Sequence, residues 1–140
     1  MIKIKYFFWL ILQTGLSISY YWKISLPLLI IALLTLLLNN PFKSKSFTQQ
    51  NLLLLMPFVI TLMIFLTGTI LAHNDSHSLP PKWPAYLLIG MASLHLPLGG
   101  FLVWKMKDFR LGTIALNIFQ MLLSLCALFI ATMSVTGDWL

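Results

Sequence analysis

The sequence predicts an all-α integral membrane protein, a bundle of five transmembrane helices forming a single domain over residues 1–140. Two features of the composition support this fold class: 59% of the residues are hydrophobic and only 9% are charged. A soluble domain carries about a quarter charged residues, and one of this size cannot bury such an apolar excess. The third observation is that the apolar residues form long uncharged runs, the pattern of helices that span a bilayer.

Five uncharged apolar runs cover about residues 6–22, 24–38, 52–72, 85–104 and 111–136. Crossing about 30 Å of hydrocarbon takes roughly 20 helical residues, so the last three runs are long enough and the first two are short. In the five-span prediction the first two runs form a hairpin that turns at Tyr20–Lys23. The alternative is four spans plus an N-terminal interfacial helix, with one span over about 16–38.

The charged residues indicate topology rather than a nucleic-acid partner. The net charge is +6, but the basic residues occur in small groups between the apolar runs. Positive residues concentrate on the cytoplasmic side of membrane proteins. Five spans with a cytoplasmic N-terminus and an outside C-terminus place most of them on one face, and we expect a bacterial plasma membrane. The tryptophans then fall near the two rims, where indole rings are favoured.

The amino-terminal stretch resembles a secretory signal. Lys3 and Lys5 precede an apolar run, and Ser17-Ile-Ser19 is a possible cleavage site. We expect this stretch to be retained as a membrane helix.

The segment 84–104 is the one around which we expect the other spans to pack, because it carries the single ionisable side chain placed within a span, His95. An ionisable group in a span faces protein, a cavity or a cofactor rather than lipid. His95 is therefore a candidate haem ligand, quinone contact or proton-relay residue. The simpler interpretation is a hydrogen bond between helices. Pro97 removes a backbone donor and predicts a kink nearby.

A polar face is predicted on the last span. Thr113, Asn117, Gln120 and Ser124 follow one another at steps of four, three and four, which places them on one side of a helix. Such residues bind a neighbouring helix or line a cavity. If His95 faces them, Asn117 and Gln120 become candidate cofactor-binding residues, and the cofactor would be haem or quinone. One chain does not supply two axial histidines at the same depth.

The predicted outer loop presents His73, Asp75 and His77 at alternate positions. In an extended segment these side chains point the same way and could hold Cu or Zn. A solvated turn is the alternative interpretation.

The sequence contains no phosphate-binding glycine loop, nucleophile elbow, HExxH motif or pair of membrane carboxylates. Its cysteine, Cys126, lies in an apolar run and is expected to be a small buried hydrophobe. The first functional hypothesis is therefore a structural, accessory subunit of a larger membrane complex, in contact with lipid and other subunits and without activity of its own. The alternatives are a redox subunit that binds quinone or haem at His95 and a small transporter or channel.

Overall fold

The computed structural model describes residues 2–38, 47–72, 81–107 and 110–137, and its regular secondary structure is all helical. The helices are α1 (Ile2–Tyr20), α2 (Trp22–Leu38), α3 (Phe47–Ile70), α4 (Trp83–Ser93), α5 (His95–Lys105) and α6 (Arg110–Thr136). Leu94 alone separates α4 from α5, which together form one 23-residue apolar segment. The all-helical prediction is confirmed for these residues.

Three helical segments are long and apolar enough to cross a membrane: the greater part of α3, the α4–α5 pair and α6. The shorter α1 and α2 qualify only as a pair, and the chain bends by 95° where they meet. The expected break at Tyr20–Lys23 is present, at Tyr21. However, the bend is about a right angle and not the reversal of a hairpin. The described residues thus provide three candidate spans, or four if the bent pair counts as one, and five spans are not established.

Helix α6 is the central helix of the bundle, since it packs against each of the other five helices described. Its buried face continues beyond the expected polar residues, through Ala127 and Ala131 to Ser134. Small residues at these steps let neighbouring backbones approach closely. The expectation that segment 84–104 would be central is therefore corrected. That segment contacts α6 and α3, and Leu88 in it shares the core cluster with Leu10 of α1.

Helix α1 runs antiparallel to α6. Near its start, Tyr6 shares a side-chain hydrogen bond with Ser134. Near its end, Leu16 and Tyr20 line a cavity whose other wall is Leu122–Phe129, in the middle of α6. The start of α1 and the end of α6 are therefore at the same end of the bundle.

The residues before Leu16 are part of the bundle. Leu10 is fully buried in a core cluster with Ile64 and Leu88, and the ring of Phe7 packs edge-on against that of Phe65. This differs from the four-span alternative, in which these residues lie along the membrane interface, because their apolar side chains find a complementary surface on α3 and α4.

Candidate functional site

His95 is buried where three helices meet. It is the first residue of α5 and only 4% of its surface is exposed. Its Nε2 lies 3.1 Å from the carbonyl oxygen of Pro57 on α3, and its Nδ1 lies 3.5 Å from the Ser124 hydroxyl on α6. Because a carbonyl only accepts hydrogen bonds, Nε2 carries the proton. In the neutral ring Nδ1 is then the acceptor for Ser124.

The helix interruption beside His95 follows from the local sequence. Pro97 has no N–H to donate to the Ser93 carbonyl, so the helical ladder is broken one turn earlier. The backbone N–H of Leu94 bonds the Met91 carbonyl in a tighter turn, and the Ser93 hydroxyl bonds the Gly90 carbonyl. The expected disturbance near Pro97 is therefore found at Leu94, immediately before His95.

The four polar residues expected on one face of α6 are all buried on that face. The Gln120 amide donates to the Leu54 carbonyl over 3.1 Å, and Ser124 reaches His95. Asn117 lies against α5 so closely that a Cβ at Gly99 would be 3.6 Å from its Oδ1. The face therefore joins α6 to both α3 and α5.

Three atoms on this face have no hydrogen-bond partner in the part of the chain that the structure describes: Thr113 Oγ1, Asn117 Nδ2 and Gln120 Oε1. A buried polar atom without a partner costs free energy. Their burial is therefore a cost of placing these side chains between helices.

Carbonyl oxygens at three positions along α3 accept hydrogen bonds from side chains of other helices. His95, Gln120 and Ser134 hydrogen-bond to carbonyl oxygens of α3, those of Pro57, Leu54 and Gly68. The α3 carbonyls and Ser134 are not among the residues predicted from the sequence. Continuing the four-three steps of the polar face along α6 leads to Ser134, whereas the choice of carbonyls depends on how α3 is positioned.

Two openings lie beside this cluster. A small pocket of about 30 Å³, the His95 pocket, is lined by Ala92, His95, Met121, Ser124 and Leu125. A larger cavity of about 710 Å³, the lateral groove, lies between the end of α1 and the middle of α6 and is open on one side. Its lining includes Leu16, Tyr20, Leu122, Leu125, Cys126 and Phe129.

The candidate cofactor-binding residues are thus close together but arranged differently from the expectation. His95 contacts Ser124, whereas Asn117 and Gln120 do not line the His95 pocket. The candidate metal ligands His73, Asp75 and His77 lie outside the described residues. Among the residues that are described, no group of three His, Cys, Asp or Glu side chains is arranged to hold a metal ion.

The sequence matches no protein-family model, and comparisons with functionally described proteins and with solved structures found no match.

Proposed function

We propose that this chain is a structural, accessory subunit of a larger membrane complex and that it crosses the bilayer four times. The three long apolar helices are compatible with a membrane location. The bent α1–α2 pair would supply the fourth crossing, because α1 starts at the end of the bundle where α6 finishes. This arrangement differs from five spans by placing both ends of the chain on the same side.

The charges support one orientation of this arrangement. One end of the bundle holds the end of α2, the start of α3, the end of α5 and the start of α6. Five of the nine basic residues fall, by their position in the sequence, in or directly beside the connections between these helix ends: Lys43, Lys45, Lys105, Lys107 and Arg110. Three lie at the opposite end: Lys3, Lys5 and Lys82. By the positive-inside rule the first end is cytoplasmic and both chain ends are outside. The bacterial plasma membrane stays a prediction.

The observation that carries the accessory role is the corner between α1 and α2, residues Tyr20–Lys23. Tyr20 is 89% exposed and Trp22 57% exposed, and Lys23 is also exposed. The adjoining groove places Tyr20 and Tyr21 level with the middle of α6. From there either rim is about 15 Å away, half the hydrocarbon thickness. The four-carbon stem of a lysine does not span that distance.

A lysine at that depth needs a compensating charge. The chain has only three acidic residues, Asp75, Asp108 and Asp138, and all three lie outside the described residues. The described residues therefore supply no carboxylate for Lys23, and we place the compensating group on another protein. We propose a partner transmembrane helix that bears a carboxylate facing the corner, with Tyr20 and Trp22 packed around the ion pair.

The interior polar groups fit a structural role. The side chains of His95, Gln120 and Ser134 all hydrogen-bond carbonyls of α3, as expected of polar groups that hold membrane helices together. The His95 pocket has room for about one water molecule, far less than the roughly 300 Å³ or more of a typical ligand site.

Isolation from the native membrane in mild detergent tests this function. We expect the tagged chain to co-purify with one membrane partner at a fixed ratio by native mass spectrometry. Lys23→Glu should release that partner, while the matched control Lys82→Glu, also at an exposed lysine, should retain it. Replacing the partner's carboxylate by lysine should restore assembly with Lys23→Glu. A wild-type chain that purifies as a stable lone monomer would refute the proposal.

A small transporter or channel is the second proposal, favoured by the three unpaired polar atoms along α6. They extend over seven residues, or about 10 Å of helix. Proton flux into vesicles, followed with a pH-sensitive dye, should fall in the double variant Asn117→Leu/Gln120→Leu. Wild-type flux no higher than that of vesicles without protein, or equal flux in the variant and the wild type, would remove this proposal.

A further inference from the structure

The lateral groove and the His95 pocket are neighbours that share one wall. Leu125 lines both, is 55% exposed and stands on α6 between them. On the groove side the walls are mainly apolar and come from α1 and α6. On the other side Ala92 on α4, His95 on α5 and Ser124 on α6 surround a much smaller space. Leu125 is therefore the side chain shared by the walls of a large apolar cavity and a small polar one.

The His95 pocket, the polar end of this pair of cavities, suits an uncharged oxygen atom of a ligand. With its Nε2 proton given to Pro57, the neutral imidazole offers Nδ1 as an acceptor, and Ser124 offers a hydroxyl. Their separation of 3.5 Å is at the long limit of a hydrogen bond. An inserted hydroxyl could therefore donate to Nδ1 and accept from Ser124, whereas a carbonyl oxygen could accept from Ser124 alone. A space of about 30 Å³ holds one oxygen-sized group and not a ring. Among the described residues that line the pocket, none is a lysine or arginine that would attract an anion.

The apolar end suits a long hydrocarbon tail. Its volume of about 710 Å³ is within the range of ligand sites, roughly 300–1,000 Å³. Leu16, Leu122 and Phe129 provide apolar walls, and the hydroxyl of Ser17 is already bonded to the Gln13 carbonyl. The groove is open on one side, so a molecule dissolved in the bilayer could enter it laterally.

We propose that the two cavities form one binding site for a neutral amphiphile. Its tail lies in the lateral groove and its hydroxyl or carbonyl oxygen accepts a hydrogen bond from Ser124, while a hydroxyl also donates to Nδ1 of His95. A membrane quinone and an alcohol-headed lipid share this chemistry. The site does not depend on the accessory role or on the partner at Lys23. It differs from the sequence-based candidate because Ser124 and Leu125, rather than Asn117 and Gln120, complete it.

Cys126 provides a probe within the groove lining. The purified full-length chain in detergent is alkylated with N-ethylmaleimide at increasing concentrations of decyl-benzoquinone, hexadecanol or hexadecane, and the half-protecting concentration of each is measured. Decyl-benzoquinone and hexadecanol carry a polar head group and are called the headed compounds. We expect both to protect Cys126 at lower concentration than hexadecane, which has no head group. Ser124→Ala should weaken the headed compounds about two- to tenfold, the value of one hydrogen bond, and leave hexadecane unchanged.

Two tryptophan variants separate the site from general hydrophobic binding. Leu125→Trp fills the connection between the cavities and should abolish the advantage of the headed compounds. Ile118→Trp, at another exposed position on α6, should retain it. Gel filtration and circular dichroism check that each variant is folded. Protection by only one of the headed compounds supports the site and shows whether its ligand is a quinone or an alcohol-headed lipid.

The proposal is overturned if no compound protects Cys126. It is also overturned if hexadecane protects as well as the headed compounds, or if Leu125→Trp binds them like the wild type. None of these results depends on whether a partner protein is found at Lys23.

Discussion

The contact between Gly68 on α3 and Ala131 on α6 gives the sharpest test of how the bundle packs. A Cβ built at Gly68 would lie 2.7 Å from the Ala131 Cβ and 3.2 Å from its Cα. The first distance is too short, and the second involves backbone, so Gly68→Ala must push the two helices apart. The same shift would stretch the 2.9 Å hydrogen bond from Ser134 to the Gly68 carbonyl.

The expected magnitude follows from three terms. Replacing glycine by alanine within a helix stabilises it by about 1 kcal/mol. Overpacking costs about 1–3 kcal/mol, and an interhelical hydrogen bond in a membrane protein contributes about 0.6 kcal/mol. Gly68→Ala should therefore lower the free energy of unfolding by roughly 0.6–2.6 kcal/mol. Gly90→Ala is the matched control, because a Cβ there meets nothing within 4 Å, and it should raise that free energy by about 1 kcal/mol.

Titration with sodium dodecyl sulfate in mixed micelles, followed by tryptophan fluorescence, measures these changes. The double variant Gly68→Ala/Ala131→Gly should recover most of the loss caused by Gly68→Ala, because it removes the methyl group that is struck. If Gly68→Ala is as stable as Gly90→Ala, the close approach of α3 and α6 is wrong, and so is the explanation of their packing.

Three further predictions concern two buried polar residues and the topology of the chain. In the same titration, His95→Leu should lower the free energy of unfolding by about 0.6–1.7 kcal/mol, the range for an interhelical hydrogen bond. An unchanged free energy of unfolding would contradict the hydrogen bond from His95 to the Pro57 carbonyl. Asn117→Leu should leave the free energy of unfolding unchanged or raise it, since the Asn117 Nδ2 has no hydrogen-bond partner to lose. A decrease as large as that of His95→Leu would show that Asn117 makes a stabilising contact. In a Cys126→Ala background, Ile4→Cys and Gly137→Cys should react with an impermeant maleimide from the same side of sealed vesicles, whereas reaction from opposite sides would favour five spans.

The helices and the polar face of α6 could be predicted from the sequence because both depend on local periodicity. A run of apolar residues forms a helix wherever it packs, and the spacing from Thr113 to Ser124 fixes one face regardless of its neighbours. His95 was identified because an ionisable side chain in an apolar run is conspicuous. Its partners were not, because the Pro57 carbonyl carries no side-chain signal and belongs to a segment 38 residues away.

The direction of α1 shows the limit of the sequence most clearly. Its length, its lysines and the break near Tyr21 agree with either a hairpin or half of a bent span. Only the packing of Tyr6 near Ser134 and of Tyr20 near the middle of α6 distinguishes them. A hydrophobic run specifies that a helix buries apolar surface but carries no information on which way the helix points.

The sequence by itself determined the apolar composition of the surface, the approximate limits of the helices and the residues that share a face. These properties follow from hydrophobicity and helical period. The tertiary structure alone decided that α6 is central, that α3 accepts hydrogen bonds at three heights and that Leu125 separates two cavities. Those features depend on how closely helices approach, which is set by the fit of side chains distant in the chain.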